Sequence, residues 1–223
     1  MSPSILPKNG DLLLTAIGLI GDIHAEPQRL ETSLRILTQM NLDAILCTGD
    51  IVDGCGDVDI CVRLLQVYQV KTVFGNHDAW FLKDSMRILP EATKKADVNE
   101  NTWCFLNGLP LELEFETTNG RVLLCHGLGK HLMAKVGEDD YGYALDNNFE
   151  LQDLIEARRW RFVVNGHTHR RMTRNFNGLT IINAGTLLYE NACFQVVDFS
   201  RGVLKIYSAD NPEPSSLLDI VIT

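Results

Sequence analysis

The residues of greatest chemical potential in this chain fall into five short clusters: Asp22-Ile23-His24, Gly49-Asp50, Gly75-Asn76-His77-Asp78, His126-Gly127 and Gly166-His167-Thr168-His169. They hold five of the six histidines, and only His131 lies outside them. Carboxylate and carboxamide oxygens mixed with imidazoles, without a thiolate, form a donor set suited to Mn, Fe, Zn or Co, whereas a structural zinc site usually includes cysteine. There are more donors than one tetrahedral ion takes. Two divalent ions about 3.5–4 Å apart and bridged by a carboxylate would use them, and such a pair is the natural arrangement for hydrolysing a phosphate ester. A single histidine in a glycine turn is more often a hydrogen-bonded structural residue. The placement of all five clusters favours the metal reading.

That placement follows from the elements around them. Apolar runs at 12–20, 44–47 and 72–74 read as strands, and they alternate with helical patterns. The first helix covers 28–40, with Leu30, Leu34, Leu37 and Met40 in phase and Pro27 suited to its first turn; the second carries Val58, Val62 and Leu65. This strand–helix alternation predicts parallel strands joined by crossover helices. In the second half, 111–115 and 122–125 flank Thr118-Asn119-Gly120 as a hairpin, and a helical stretch spans 148–159. Runs at 162–164, 172–176, 179–182, 194–199 and 203–207 then read as a partly antiparallel meander. The fold class expected is α/β, with two packed sheets and helices outside, as one domain over 1–223 and a loosely held tail after about residue 210. Every polar cluster follows a predicted strand. Ligands of open α/β sheets bind beyond the carboxyl ends of the strands, so the five clusters should meet in one crevice.

The ordered series Asp-x-His, Gly-Asp, Gly-Asn-His-Asp, His-Gly and Gly-His-x-His resembles the calcineurin-like metallophosphoesterases over residues 22–169. The resemblance implies a four-layered α/β sandwich with two mixed sheets. It also implies a dinuclear-metal phosphoesterase in which a metal-bridging hydroxide attacks phosphorus. Carried over by motif, Asp22, His24 and His169 would hold one ion, Asp50 would bridge, and Asn76, His126 and His167 would complete the second site. His77 would protonate the leaving alkoxide, and Asp78 would accept from the His77 ring and fix its tautomer. The implied cofactors are two divalent ions (Mn, Fe, Zn, Ni or Co), with Mn the first to try in vitro. The protein phosphatases of the superfamily carry an arginine where this chain has Gly54, and Gly-Asn-His-Glu where it has Asp78. Those departures place it nearer the small bacterial and archaeal phosphodiesterase-like branch, with phosphodiesters preferred. The alternatives are a phosphomonoesterase or protein phosphatase, or a non-catalytic scaffold of the same fold. The filled ligand positions and the retained His77 count against the scaffold.

Other residues draw blander readings. Asp53 is a site contact or a turn stabiliser with equal weight. Arg170, Arg171 and Arg174 read as a solvated edge strand before a distal phosphate site. Trp80 and Phe81 read as core before a nucleobase platform. His131, Lys130 and the acidic run 138–140 are given no role.

The composition sets outer limits. With 45% apolar and 22% charged residues the chain can bury a sizeable core. Twenty-nine acidic against twenty basic residues give a formal charge of -9, which repels nucleic-acid backbones and anionic lipid. The expected partner is therefore a small phosphate ester, nucleotide-derived or not, approaching a locally cationic spot. Neither non-specific nucleic-acid binding nor a membrane is expected, while edge strands leave a homo-oligomer open. None of the six cysteines forms a Cys-x-x-Cys pair, and Cys47, Cys125 and Cys193 sit in or beside strand-like runs. A reducing cytoplasm fits that usage.

Overall fold

The computed structural model describes residues 13–211 and 215–222. Strands β1 (Ala16–Ile20), β2 (Ala44–Cys47) and β3 (Lys71–Thr72) pair in parallel, joined by helices α1 (Pro27–Thr38) and α2 (Val58–Val67). Helices α3 (Asn76–Lys83) and α4 (Glu100–Asn107) follow, then strands β4 (Glu112–Thr117) and β5 (Gly120–Cys125). Two more helices, α5 (Tyr143–Asp146) and α6 (Phe149–Ala157), lead to β6 (Phe162–Asn165), β7 (Met172–Phe176) and β8 (Leu179–Asn183). The chain ends in β9 (Cys193–Asp198), β10 (Val203–Ser208) and β11 (Ser216–Val221). One sheet has the order β11-β10-β9-β1-β2-β3 and the other β4-β5-β6-β8-β7.

Both sheets are mixed and pack face to face between outer helices. The alternation along each strand assigns its side chains to layers. Ile17 and Leu19 of β1 meet Val122, Leu124, Phe162 and Val164 between the sheets. Ile20 turns the other way, onto Leu30, Leu34 and Leu37 of α1 and Val62 and Leu65 of α2. On the far side, Leu123 and Val163 pack on Leu151 and Leu154 of α6. The result is the four-layered α/β sandwich expected.

Several details differ from the sequence reading. The first strand begins at Ala16, and Leu12 lies outside the described residues. The 162–207 region is not a single meander. β6 pairs with β8 in parallel, while β7 folds back antiparallel outside β8 through the Asn177-Gly178 turn, whose φ values are +53° and +94°. The reason is burial: all five residues of β8 are buried, so it takes the inner position, and half-exposed β7 takes the edge. β9 then crosses to the other sheet and pairs antiparallel with β1. The tail after residue 210 is not loose throughout. Residues 216–221 form β11 on β10, and Ile222 is buried between the sheets; Pro212 and Pro214 lie outside the described residues.

Candidate metal centre

The crevice forms where β1, β2 and β3 of one sheet and β5 and β6 of the other end together. β1 runs into Asp22 and His24, and β2 into Asp50 and Asp53. β5 delivers His126, and β6 delivers His167 and His169. His24, Asp50, Asp53, His167 and His169 all have positive φ, between 47° and 67°. Such a conformation is uncommon for residues other than glycine and marks backbone bent to aim side chains. The third cluster lies on a helix: Asn76, His77 and Asp78 form the first turn of α3, which begins directly after Gly75.

Four of the predicted residues meet in one group. One ligand atom each from Asp22, His24, Asp50 and His169 lies within 4.8 Å of the others, a spread suited to a divalent ion. His24 Nε2 is 2.9 Å from His169 Nε2 and 3.8 Å from Asp50 Oδ2, and His169 Nε2 is 3.4 Å from Asp22 Oδ2. On the other side of Asp50, His126 Nε2 approaches Asp50 Oδ2 at 3.3 Å and Asn76 Oδ1 at 2.8 Å. His167 Nδ1 reaches the same Asn76 oxygen at 2.9 Å. All seven predicted ligands are thus brought together, with Asp50 between the two halves.

The outer contacts test whether cations fit. His24 Nδ1 lies 3.2 and 3.0 Å from the carbonyls of Val52 and Asp53, and His126 Nδ1 lies 2.8 Å from that of Thr48. A carbonyl only accepts, so each Nδ1 carries the proton and each Nε2 turns a lone pair inward. Lone pairs of His126, Asn76 and Asp50 then face one another at hydrogen-bond distance, which requires a proton or a cation among them. Asp22 is anchored by the Thr48 hydroxyl at 2.9 Å and the His167 N–H at 2.8 Å, and Asp50 Oδ1 accepts the His77 N–H at 2.8 Å. The donor set fits divalent cations.

The electrostatics agree. Burial raises Asp22 to about 7. Burial acts the same way on Asp50, but the adjacent His126, with His24 and His77, outweighs it and holds that carboxyl below its usual range. Burial lowers His126, yet Asp50 and Asp22 push it up to about 10, the effect of two carboxylates facing one buried ring. Burial brings His167 and His169 down to about 4, and lowers His24 as well. Those three rings are neutral at pH 7, the state a ligand needs.

One expectation is corrected. Asp78 does not touch the His77 ring. Its Oδ2 accepts the Gly75 N–H at 3.0 Å, and its Oδ1 accepts the Ile51 N–H at 2.9 Å. As the third residue of α3 it turns back to cap the helix start, and it ties the Gly49-Asp50 loop to that start. The carboxylate on the ring belongs to Asp53, whose Oδ2 lies 2.7 Å from His77 Nδ1. Arg87 grips Asp53 in turn, and nothing in the sequence singled it out, because 84–98 has no helical or strand period. Trp80 lies against the His77 ring, centroids 4.7 Å apart, whereas Phe81 is core. Arg174 is engaged by the Gly137 carbonyl and the rings of Tyr141 and Phe176. His131 is exposed beside Glu150, and Lys130 lies 3.8 Å from Glu112.

The calcineurin-like phosphoesterase superfamily domain matches residues 16–201, and the chain belongs to that superfamily. Its chemistry is the hydrolysis of phosphate esters, and the Asp/His cluster suits a metal-binding member. An uncharacterised protein of Methanocaldococcus jannaschii is 29% identical over 184 residues, which is 79% of this chain and 71% of that one. A metallophosphoesterase from Sphaerobacter thermophilus shares the fold at a TM-score of 0.61 and 21% identity, covering 86% of this chain and 87% of that one. A structure described as a novel archaeal phosphodiesterase superposes at a TM-score of 0.53 and 14% identity over 86% of this chain and 98% of its own. No helix among the described residues is long and apolar enough to cross a membrane.

Proposed function

We propose that the chain is a metal-dependent hydrolase of phosphate esters, holding two divalent ions and preferring diesters. The carrying observation is the gathering of ligand atoms on either side of Asp50, His24 Nε2 and His169 Nε2 2.9 Å apart on one side and His126 Nε2 and Asn76 Oδ1 2.8 Å apart on the other. In this reading Asp22, His24 and His169 would hold one ion and Asn76, His126 and His167 the other, with Asp50 shared between them. Bound there, divalent ions would supply Lewis acidity toward water and toward the phosphoryl oxygens. The chain's own residues do the rest. Asp22 and Asp50 are held by N–H and O–H donors, so the cluster is set before substrate arrives. With Nδ1 tied to Asp53, His77 has Nε2 left to hand a proton to the leaving oxygen as its bond to phosphorus breaks.

A diester preference has physical support. A diester carries one negative charge where a monoester near neutral pH carries about two. Gly54 brings no cation to the position where the protein phosphatases have an arginine, and Arg87 is committed to Asp53. The archaeal neighbour's description as a phosphodiesterase agrees. The test is turnover by EDTA-stripped protein reloaded with Mn²⁺, Zn²⁺ or Co²⁺ on aryl diesters, aryl monoesters, cyclic nucleotides and dinucleoside polyphosphates. Metal-dependent turnover with diesters ahead is expected. No turnover with any metal sinks the enzyme reading, and monoesters ahead sinks the preference.

A further inference from the structure

His77 reaches the crevice from the first turn of α3, but its ring is set by residues remote in sequence. Asp53 Oδ2 takes His77 Nδ1 at 2.7 Å. The Arg87 guanidinium then grips Asp53 with two parallel bonds, Nη1 to Oδ1 at 2.8 Å and Nη2 to Oδ2 at 2.9 Å. Thr93 closes the set: its N–H donates to Asp53 Oδ1 at 2.9 Å, and its hydroxyl accepts the Asp53 N–H at 2.9 Å. Arg87 is braced by the carbonyls of Ser85 at 2.8 Å and Thr93 at 3.3 Å.

We propose that Arg87, from the segment joining α3 to α4, is a positioning residue that fixes the plane of the Asp53 carboxylate and so aims the His77 imidazole at the leaving group. The inference rests on the phosphoesterase reading above. Asp53 sits on a left-handed turn with φ of 65°, and its side chain is 3% exposed. A carboxylate there can rotate about its own side-chain bond, and single hydrogen bonds at each oxygen, from His77 to Oδ2 and from the Thr93 N–H to Oδ1, do not hold its plane. A planar two-pronged partner does, because both oxygens must stay in the guanidinium plane. Direct capture of substrate phosphate by Arg87 is disfavoured, since Nε, Nη1 and Nη2 all have partners. The ring is otherwise met by Trp80 and, edge-on, by His24, with centroids 4.7 and 4.8 Å away. Neither contact sets the direction of its N–H bonds.

The test compares wild type, Arg87→Met, Arg87→Lys and His77→Ala, all Mn²⁺-loaded, on two diesters that differ only in the leaving group. A nitrophenolate leaves without a proton; an alkoxide needs one. For Arg87→Met the ratio of alkyl to aryl kcat should fall about 10–100-fold with KM little moved, the range typical of losing an outer hydrogen-bond partner at a metal site. Arg87→Lys keeps the charge without the fork and should fall between. A second measurement uses metal-free protein: the His77 Nδ1–H resonance in ¹⁵N-labelled imidazole spectra should be exchange-protected in wild type and lost in Arg87→Met. Equal losses on both esters, a rise in KM alone, or an unmoved His77 resonance would overturn the proposal. If wild type turns over neither ester, the phosphoesterase reading falls, and the imidazole spectrum alone decides whether Arg87 fixes His77.

Discussion

Gly75→Ala is the sharpest probe of how the fold holds Asp50. Gly75 is in an extended conformation, φ -98° and ψ 174°, that alanine adopts freely, so backbone strain does not enter. Space does. A Cβ there would overlap both Oδ1 and the backbone nitrogen of Asp50 and lie 2.9 Å from its Cγ, where ordinary contact begins at 3.4 Å. The carboxyl group and the backbone at Asp50 would both have to retreat, by more than the roughly 0.5 Å within which a functional constellation must be held. They have little freedom to do so. Asp50 Oδ1 is bonded to the His77 N–H, and the Asp50 carbonyl accepts from Ile23 and His24 at 3.0 and 2.8 Å. The expected cost is about 1–3 kcal/mol of stability from overpacking, and about 10–100-fold in metal affinity from displacing the shared ligand. The assay is Mn²⁺ titration calorimetry on stripped protein with a urea melt of the same sample. Gly108→Ala serves as control, since its Cβ would meet nothing closer than 3.3 Å and its φ is -90°. A Gly75→Ala protein with wild-type metal affinity and wild-type midpoint would refute the reasoning.

Three further perturbations have expected outcomes. Asp53→Asn removes the partner that raises His77 against the lowering effect of burial, so the His77 pKa in metal-free protein should fall, read from imidazole NMR shifts. The same substitution changes the pH profile of stability. Asp53 is held below 3.8, so its contribution is present above that pH and lost as pH falls through the folded value; His77 is held above 6.5, so its contribution is present below that pH and lost as pH rises through its folded value. The wild-type advantage in urea midpoint should therefore be largest between about pH 4 and 6.5 and shrink on either side, and a difference constant from pH 3 to 9 counts against the pairing. Ile222→Ala, near the end of the chain, should cost about 2–5 kcal/mol in urea unfolding, because this side chain is buried between the sheets; a change under about 0.5 kcal/mol would show that this side chain does not anchor the segment after β11. Adding Mn²⁺ at a hundred times its Kd should stabilise the stripped protein by about 2.7 kcal/mol per site, read as a raised melting temperature. An unmoved transition would argue against metal at this centre.

Much of this was legible in the sequence because it rests on local periodicity and on order along the chain. The alternation of short apolar runs with helical stretches gave β1, α1, β2 and α2 nearly in place. Five polar clusters at strand ends marked the crevice, since parallel strands of one sheet end on the same side. Donor chemistry, oxygen and imidazole without sulfur, pointed to a divalent ion before any distance was known. Tertiary structure decided what depends on which neighbour arrives. Asp78 and Asp53 are both aspartates near His77, and their exchange of roles follows from backbone direction. Asp78, in the first turn of α3, bends back to cap the helix, while the left-handed turn at Asp53 swings its carboxylate onto the ring. Arg87 and Thr93 lie in a stretch with no period, and their place on Asp53 exists only once the segment has folded back over it. Which of the neighbouring strands β7 and β8 took the inner place beside β6 was likewise settled by competition for burial, all five residues of β8 being buried. Sequence order ranks no such competition, because its outcome depends on how much surface each strand removes from water.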